Sequence, residues 1–116
     1  MDSKIYSFIG LATKAGKVAS GDETCEKALK SGKAYLIIVA ENASDNTKKK
    51  FSDMCSYRSI PLKVFGEKEL LGRYTGKHIR SVISIMESGF AKRLEELMDG
   101  SKNELGGEQI GKGQGL

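Results

Sequence analysis

Two short polar segments contain the residues whose types and spacing could bind a ligand. In the first, the small-residue turn Ser20-Gly21-Asp22 precedes a charged stretch that holds Glu23, Thr24 and Lys27. Backbone N–H groups at the start of a helix are unpaired and carry partial positive charge, so they favour phosphates or the acceptor edges of bases. The turn is therefore a candidate site for a polyanion. The alternative is that Glu23 and Lys27 form an ion pair on a solvated helix face, worth about 0.2 to 0.5 kcal/mol.

The second segment runs from Leu71 to Arg80 and is basic. It places the cations Arg73, Lys77 and Arg80 around two glycines, with Ile79 expected at the surface. Cations beside a protruding apolar side chain suit single-stranded or bulged RNA, because phosphates are neutralised and a flipped base needs an apolar contact. The alternative is a basic surface loop with Ile79 folded inward.

Signatures of catalysis and of metal binding are weak in this chain. The stretch from Gly72 to Lys77 falls short of the phosphate-loop pattern because its glycines are four residues apart instead of five. His78 has no acidic or thiol companion near it in sequence, and zinc-ligand spacing is absent. Cys25 and Cys55 are expected to be small buried apolar residues. The sequence therefore predicts no enzyme, no metal and no cofactor.

Composition predicts one cytosolic domain with a basic body. The 116 residues suffice for a single core. Lysine and arginine number 19 against 15 acidic residues, and residues 98–116 are slightly acidic, so residues 1–97 carry a net charge of +5. This charge permits an anionic partner. No run of about 18 apolar residues and no signal-peptide pattern occur, which predicts no membrane contact.

Apolar periodicity predicts helices that alternate with strands. Strands are expected at 17–20, 35–40, 62–65 and 82–86. Helices are expected at 3–14, 68–73 and 89–97. Two more helices are expected, one from a cap at Asp22 to Gly32 and one from a cap at Ser44 or Asp45 toward Pro61. The fold class is therefore α/β, a three-layer α/β/α sandwich with a four-stranded mixed sheet and a central strand at 35–40. It forms one domain over residues 1–97. Six glycines within residues 98–116 predict a flexible tail.

A set of short motifs spread over residues 3–97 resembles a known family. The motifs are Lys17 to Gly21, Lys27 to Gly32, Lys33 to Asn42, Asn46 to Lys50, Ile60-Pro61, Leu71-Gly72 with Gly76, and Gly89 to Lys92. Together they resemble the ribosomal protein superfamily that binds kink-turn RNA, and most closely its bacterial YlxQ-type branch. The resemblance implies a non-enzymatic RNA-binding protein of the translation apparatus, with the α/β/α fold of these ribosomal proteins.

The family binds RNA through two elements that have counterparts here. The turn after its first strand and the start of its second helix contact the sheared G·A pairs of a kinked duplex. The loop before its last strand covers the bulged nucleotides. The implied RNA-binding residues of this chain are Lys17, Ser20, Gly21, Glu23, Thr24 and Lys27 in the first element, and Lys77, His78, Ile79, Arg80 and Ser81 in the second.

Two adjacent positions depart from the family pattern. The family has Gly-x-Asn-Glu where this chain reads Gly21-Asp22-Glu23-Thr24, so an amide that donates to a guanine acceptor is missing. Phosphate contacts depend on charge rather than on base readout, so RNA binding is still expected. The expected partners are a structured, kink-turn-like RNA and ribosomal or translation-factor proteins. The alternative function is a protein-interaction module on the same fold that has lost specific kink-turn recognition.

Overall fold

The computed structural model describes residues 2–106, and side chains within residues 3–100. Helices and strands alternate along this part of the chain. The helices are α1 (Asp2–Lys14), α2 (Asp22–Lys30), α3 (Asp45–Arg58), α4 (Lys68–Tyr74) and α5 (Ser88–Gly106). The strands are β1 (Val18–Ser20), β2 (Leu36–Val39), β3 (Leu62–Val64) and β4 (Val82–Ile85).

The four strands form one mixed sheet in the order β1-β4-β2-β3. β4 pairs antiparallel with both β1 and β2, whereas β2 and β3 are parallel. α2 and α3 pack on one face of the sheet, and α1, α4 and α5 pack on the other. Every residue of β2 and of β4 is buried, as expected for strands covered on both faces. The predicted three-layer α/β/α sandwich and the interior position of β2 are confirmed.

The core draws apolar side chains from helices on both faces and from the central strands. Ser44 caps α3, because its hydroxyl accepts a hydrogen bond from the Thr47 amide at 3.1 Å, which decides between the two predicted caps. Partly buried apolar side chains pack around this core, among them Phe8, Met54, Phe90 and Leu97. The largest fully buried side chains are Ile5, Ile9, Leu36, Ile37, Ile38, Phe51, Leu71, Ile83, Ile85 and Leu94.

The directions of the strands define two opposite edges of the sheet. β1 and β2 end where β4 begins, since Ser20 pairs with Ile83 and Val39 pairs with Val82. We call this end the upper edge. The lower edge is the opposite end, where β1 and β2 begin and β4 ends. Both polar segments identified in the sequence flank the upper edge, because one follows β1 and the other precedes β4.

Two predicted helix boundaries are wrong. Gly21, not Asp22, occupies the N-cap position of α2, and Asp22 is the first helical residue. α5 continues to Gly106 instead of ending at Leu97. Asp99, near the start of this extension, accepts a hydrogen bond from the Lys63 ammonium of β3 at 2.9 Å, which joins this part of α5 to the sheet. The flexible tail stays a prediction for residues 107–116, which lie outside the described residues.

Both cysteine thiols are expected to be inert in the folded protein. Cys25 and Cys55 are free and buried, as predicted. Burial, with a smaller contribution from the charge of Asp22, raises the pKa of Cys25 from 9.0 to about 12. Burial also raises the pKa of Cys55 from 9.0 to about 11. At pH 8 we therefore expect a thiol reagent to label both residues in denaturant and neither in buffer.

The same pKa shifts predict how stability depends on pH. Below pH 9 both thiols are protonated whether the chain is folded or unfolded. Above pH 9 the unfolded chain ionises first, so the thiol contribution to the free energy of unfolding is lost as the pH rises toward the folded-state pKa values. Rapid labelling of the native protein at pH 8 would contradict this account.

Candidate nucleic-acid interface

The turn between β1 and α2 depends on Gly21. Its backbone has φ 98° and ψ 155°, a conformation that L side chains rarely adopt and glycine adopts readily. Its N–H donates to the Val82 carbonyl at 3.0 Å, and its carbonyl accepts from the Cys25 N–H at 2.9 Å. These two bonds fix the start of α2 against the beginning of β4. The turn therefore presents the N-terminus of α2 at the upper edge.

The side chains at the start of α2 point outward, as predicted. Glu23, Thr24 and Lys27 are all exposed. None of the ion pairs within residues 3–100 joins Glu23 to Lys27, so the predicted alternative, a solvated ion pair, is not formed. Lys27 lies in the last turn of α2, and its exposed ammonium is paired with no described carboxylate, so it is available to an anion.

The segment before β4 is a loop folded back onto the end of α4; we call residues 75–81 the clamp loop. The Thr75 hydroxyl donates to the Leu71 carbonyl at 2.8 Å and lies 3.1 Å from the Gly72 carbonyl. Gly76 turns the chain at φ 76°, and the Lys77 N–H returns to the Gly72 carbonyl at 2.7 Å. The loop therefore has a defined path over the last turn of α4.

Close approach of the clamp loop to α4 requires glycine at position 72. A Cβ atom on Gly72 would collide with the His78 carbonyl group and would lie 2.8 Å from the Ile79 nitrogen. Both contacts involve backbone atoms, so a rotamer change cannot relieve them. Gly72 therefore sets how tightly the clamp loop lies on α4.

Arg80 joins the clamp loop to the turn after β1. Its Nε donates to the Ser20 hydroxyl at 3.0 Å, and its Nη1 donates to the Ile79 carbonyl at 2.8 Å. The Arg80 N–H also donates to the Lys68 carbonyl at 3.0 Å. One guanidinium thus holds the two sequence-predicted segments side by side, although Ser20 and Arg80 are 60 positions apart in the chain.

The other clamp-loop residues divide into outward and anchoring positions. Lys77, His78 and Ile79 are exposed, with 51% of Ile79 accessible, so the alternative with Ile79 folded inward is wrong. Ser81 is partly buried, and its carbonyl accepts from the Ala40 N–H at 2.8 Å beside the end of β2. An apolar side chain flanked by cations therefore projects from the loop.

Lys17 is the predicted site residue that the structure does not bring to the upper edge. It precedes β1, and its carbonyl accepts from the Met86 N–H at 2.7 Å at the lower edge. The three residues of β1 separate it from Gly21. A strand rises by about 3.3 Å per residue, so the separation is on the order of 10 Å.

Asn42 is a positioning residue to which the sequence assigned no role. Its side-chain oxygen accepts from the Lys68 N–H at 2.9 Å, and its amide nitrogen donates to the Glu69 carboxylate at 3.2 Å. The backbone hydrogen bond of Glu69, followed by this amide, lowers the pKa of the Glu69 carboxyl. Glu67, at the N-cap of α4, makes no side-chain cap bond, so Asn42 caps the helix from the end of β2. The helix that supports the clamp loop is thereby tied to the sheet.

The described residues lack the features of a metal site and of a membrane-spanning helix. They contain no group of His, Cys, Asp and Glu side chains that could hold a metal ion. No described helix has the length and apolar character needed to cross a membrane.

Comparison with known proteins identifies the family. The model of the ribosomal protein L7Ae/L30e/S12e/Gadd45 family matches residues 3–95. RNA-binding protein YlxQ of Bacillus subtilis is 38% identical over 94 residues, which are 81% of this chain and 94% of that protein. RNA-binding protein YlxQ of Enterococcus faecium is 41% identical over 98 residues, which are 84% of this chain and 93% of that protein.

A solved structure agrees with these sequence matches. The structure of a protein with unknown function from Bacillus halodurans superposes with a TM-score of 0.80 at 41% identity, and the match covers 83% of this chain and 97% of that one. The curated relatives bear the names of RNA-binding proteins rather than of enzymes. The chain belongs to the ribosomal protein L7Ae/L30e/S12e/Gadd45 family, whose members are not enzymes.

Proposed function

We propose that this protein binds a kink-turn or related structured RNA at the upper edge of its sheet, as a cytoplasmic component of the translation apparatus. The observation that carries the proposal is the 3.0 Å hydrogen bond from Arg80 to Ser20. It sets the N-terminus of α2 and the clamp loop next to one another, so that one kinked RNA can contact both. The family and the names of the relatives support RNA as the ligand.

The groups at this edge suit a kinked duplex. Gly21 has no side chain to cap α2, so the first N–H groups of the helix face the ligand with the positive end of the helix dipole. Lys27, Lys77 and Arg80 supply the charge that neutralises phosphates on two sides of the kink. The exposed Ile79 offers an apolar surface to a base that has left the stack.

Base readout would differ from that of the family pattern. A carboxylate at Glu23 accepts hydrogen bonds from guanine N–H groups but donates none, whereas the Thr24 hydroxyl both donates and accepts. We infer that Thr24 supplies the donor that the family obtains from an asparagine amide. Thr24→Val keeps the shape and removes the donor, so it separates base readout from phosphate contacts.

Titrations with three RNAs test the proposed function. They are a kink-turn, the same RNA with its sheared G·A pairs replaced by Watson–Crick pairs, and a plain duplex, each at two salt concentrations. Tight binding to the first RNA alone supports recognition of the kink. Equal and strongly salt-dependent binding to all three RNAs would mean that the protein binds phosphates by charge and does not recognise the kink.

Lys27→Ala is expected to weaken kink-turn binding and to lower the salt slope of log K by about one unit, because one phosphate contact is lost. Lys92→Ala is the matched control, since Lys92 is an exposed lysine on α5, on the other face of the sheet. The measurement is a titration of both variants at several salt concentrations. An affinity equal to that of the control would remove Lys27 from the site.

A protein-interaction module on the same fold is the second candidate. The observation that favours it is the pair of carboxylates, Asp22 and Glu23, in the first turn of α2. They add negative charge where a phosphate backbone would approach. This function would appear as weak RNA binding that ignores sequence and shape, together with tight binding to a protein that carries basic groups.

A further inference from the structure

We propose that the lower edge of the sheet carries a second nucleic-acid surface, which binds a single-stranded RNA segment. It consists of Lys17, Lys30, Lys33, Tyr35, Tyr57 and Arg58, which we call the lower surface. β2 (Leu36–Val39) runs from the lower edge to the upper edge, and its four residues span about 13 Å at the usual strand rise. The lower surface is therefore separate from the kink-turn site and depends on the proposed function only in taking RNA as its ligand.

The ends of α2 and α3 are fastened together at this surface. The Arg58 Nε donates to the Leu29 carbonyl at 3.2 Å, which holds the end of α3 against the end of α2. Lys30 follows Leu29 directly, and the Lys33 N–H donates to the Ala28 carbonyl at 2.9 Å in the turn after the helix. These contacts gather three cations at the C-terminal ends of two helices.

The start of the sheet continues the same surface. The Tyr35 N–H donates to the Ile85 carbonyl at 2.9 Å, and the Met86 N–H donates to the Lys17 carbonyl at 2.7 Å. β4 lies between β1 and β2, so Tyr35 and Lys17 flank the end of β4. The backbones at Lys17 and Tyr35 are therefore two strand spacings apart, which is about 10 Å. Lys17, which the resemblance assigned to the kink-turn site, thus belongs to the lower surface by position.

The lower surface exposes both of its aromatic rings. Tyr57 is 83% exposed and Tyr35 is 47% exposed, whereas Tyr6 is buried and stacks on Tyr74. The guanidinium carbon of Arg58 lies 5.3 Å from the centre of the Tyr57 ring, which orients that ring beside a cation. Exposed rings next to cations are the arrangement by which proteins stack bases of single strands and follow their phosphates.

The charge of the lower surface also favours an anionic strand. Within residues 3–100, Lys17, Lys30, Lys33 and Arg58 take part in no ion pair. Glu87, the acidic residue that follows β4, keeps its charge, and its carboxylate accepts the Phe90 N–H at 2.8 Å at the start of α5. Three exposed ammonium groups are therefore available to phosphates, and Arg58 adds its charge while its Nε is bonded to Leu29. Tyr57 and Tyr35 lie among these cations.

The test is the affinity of the full chain for a fluorescently labelled twelve-nucleotide pyrimidine RNA without structure. Tyr57→Leu is expected to weaken binding about tenfold, because base stacking is lost, while Tyr57→Phe keeps the ring and the affinity. Lys30→Ala with Lys33→Ala is expected to lower the salt slope by about 1.4, since each phosphate contact on a single strand contributes about 0.7. Lys49→Ala with Lys92→Ala is the control of equal charge.

The outcomes separate this proposal from the proposed function. Tyr57→Leu should leave the affinity for a kink-turn RNA without single-stranded flanks unchanged, because Tyr57 is remote from the upper edge. The proposal is overturned if Tyr57→Leu and the Lys30 and Lys33 double variant bind the oligonucleotide as the control does. It is also overturned if Lys27→Ala alone abolishes that binding, or if the surface binds poly-glutamate and no RNA. Each of these oligonucleotide results tests the lower surface whether or not the protein binds the kink-turn RNA.

Discussion

Replacing Arg80 by alanine is expected to weaken kink-turn binding by about thirty-fold, more than the loss of any other single cation at the upper edge. The variant loses a phosphate-neutralising charge, as Lys27→Ala does. It also breaks the hydrogen bonds from the guanidinium to Ser20 and to the Ile79 carbonyl, at 3.0 and 2.8 Å. Hydrogen bonds from charged groups contribute about 1.5 to 3 kcal/mol to the order of the free protein. RNA binding to the variant has to supply this ordering, and about 2 kcal/mol corresponds to a thirty-fold change in affinity.

Two conservative variants divide this effect into charge and positioning. Arg80→Lys keeps the charge but lacks the planar fork that reaches two acceptors at once, so its affinity should recover only in part. Ser20→Ala removes one acceptor and leaves the cation in place, so the salt slope should stay near that of the wild type. Titration of all three variants at several salt concentrations gives both quantities. Full recovery in Arg80→Lys would show that Arg80 acts by charge alone.

Apolar patterns predicted most of the fold because they act locally. The run Tyr35 to Ala40 has no polar residue, and the structure places its strand between two others with both faces covered. The end of α5 could not be predicted in this way. Gly100 would ordinarily weaken a helix by about 1 kcal/mol, so the local sequence favours an earlier end. The contact of Asp99 with Lys63 joins two residues that are 36 positions apart in the sequence. Local periodicity therefore contains no sign of this contact.

The candidate site also combines features that follow from local patterns with a contact that only the folded sheet creates. Exposure of Glu23, Thr24 and Lys27 followed from helical periodicity, and the structure agrees. The contact between Arg80 and Ser20 depends on the sheet order, because β1 and β4 become neighbours only when the chain folds. Lys17 is a different case, because it stands at the start of the first strand and the strand rise alone separates it from Gly21. Spacing along the sequence contains no information about the contact between Arg80 and Ser20.

Replacing Gly72 by alanine is expected to lower the free energy of unfolding by about 2 kcal/mol, against the direction that helix propensity predicts. Gly72 lies inside α4, where alanine would by itself stabilise the helix by about 1 kcal/mol. The new methyl group would collide with the His78 carbonyl group and the Ile79 nitrogen, which belong to the backbone of the clamp loop. Forced overpacking costs about 1 to 3 kcal/mol and occasionally more, and a collision with three backbone atoms belongs at the upper end of that range. A cost of about 3 kcal/mol less a gain of about 1 kcal/mol leaves the expected loss of about 2 kcal/mol.

Gly10→Ala is the matched control for this substitution. Gly10 also lies inside a helix, α1, and a Cβ atom there would meet Tyr74 at an ordinary 3.6 Å. Urea unfolding followed by circular dichroism should therefore give shifts of opposite sign, with Gly10→Ala neutral or stabilised and Gly72→Ala destabilised. Because the collision is relieved by moving the clamp loop away from α4, Gly72→Ala should also bind kink-turn RNA more weakly under conditions where it remains folded. Stabilisation of both variants would mean that the clamp loop yields freely, and that its close approach to α4 does not position the RNA contacts.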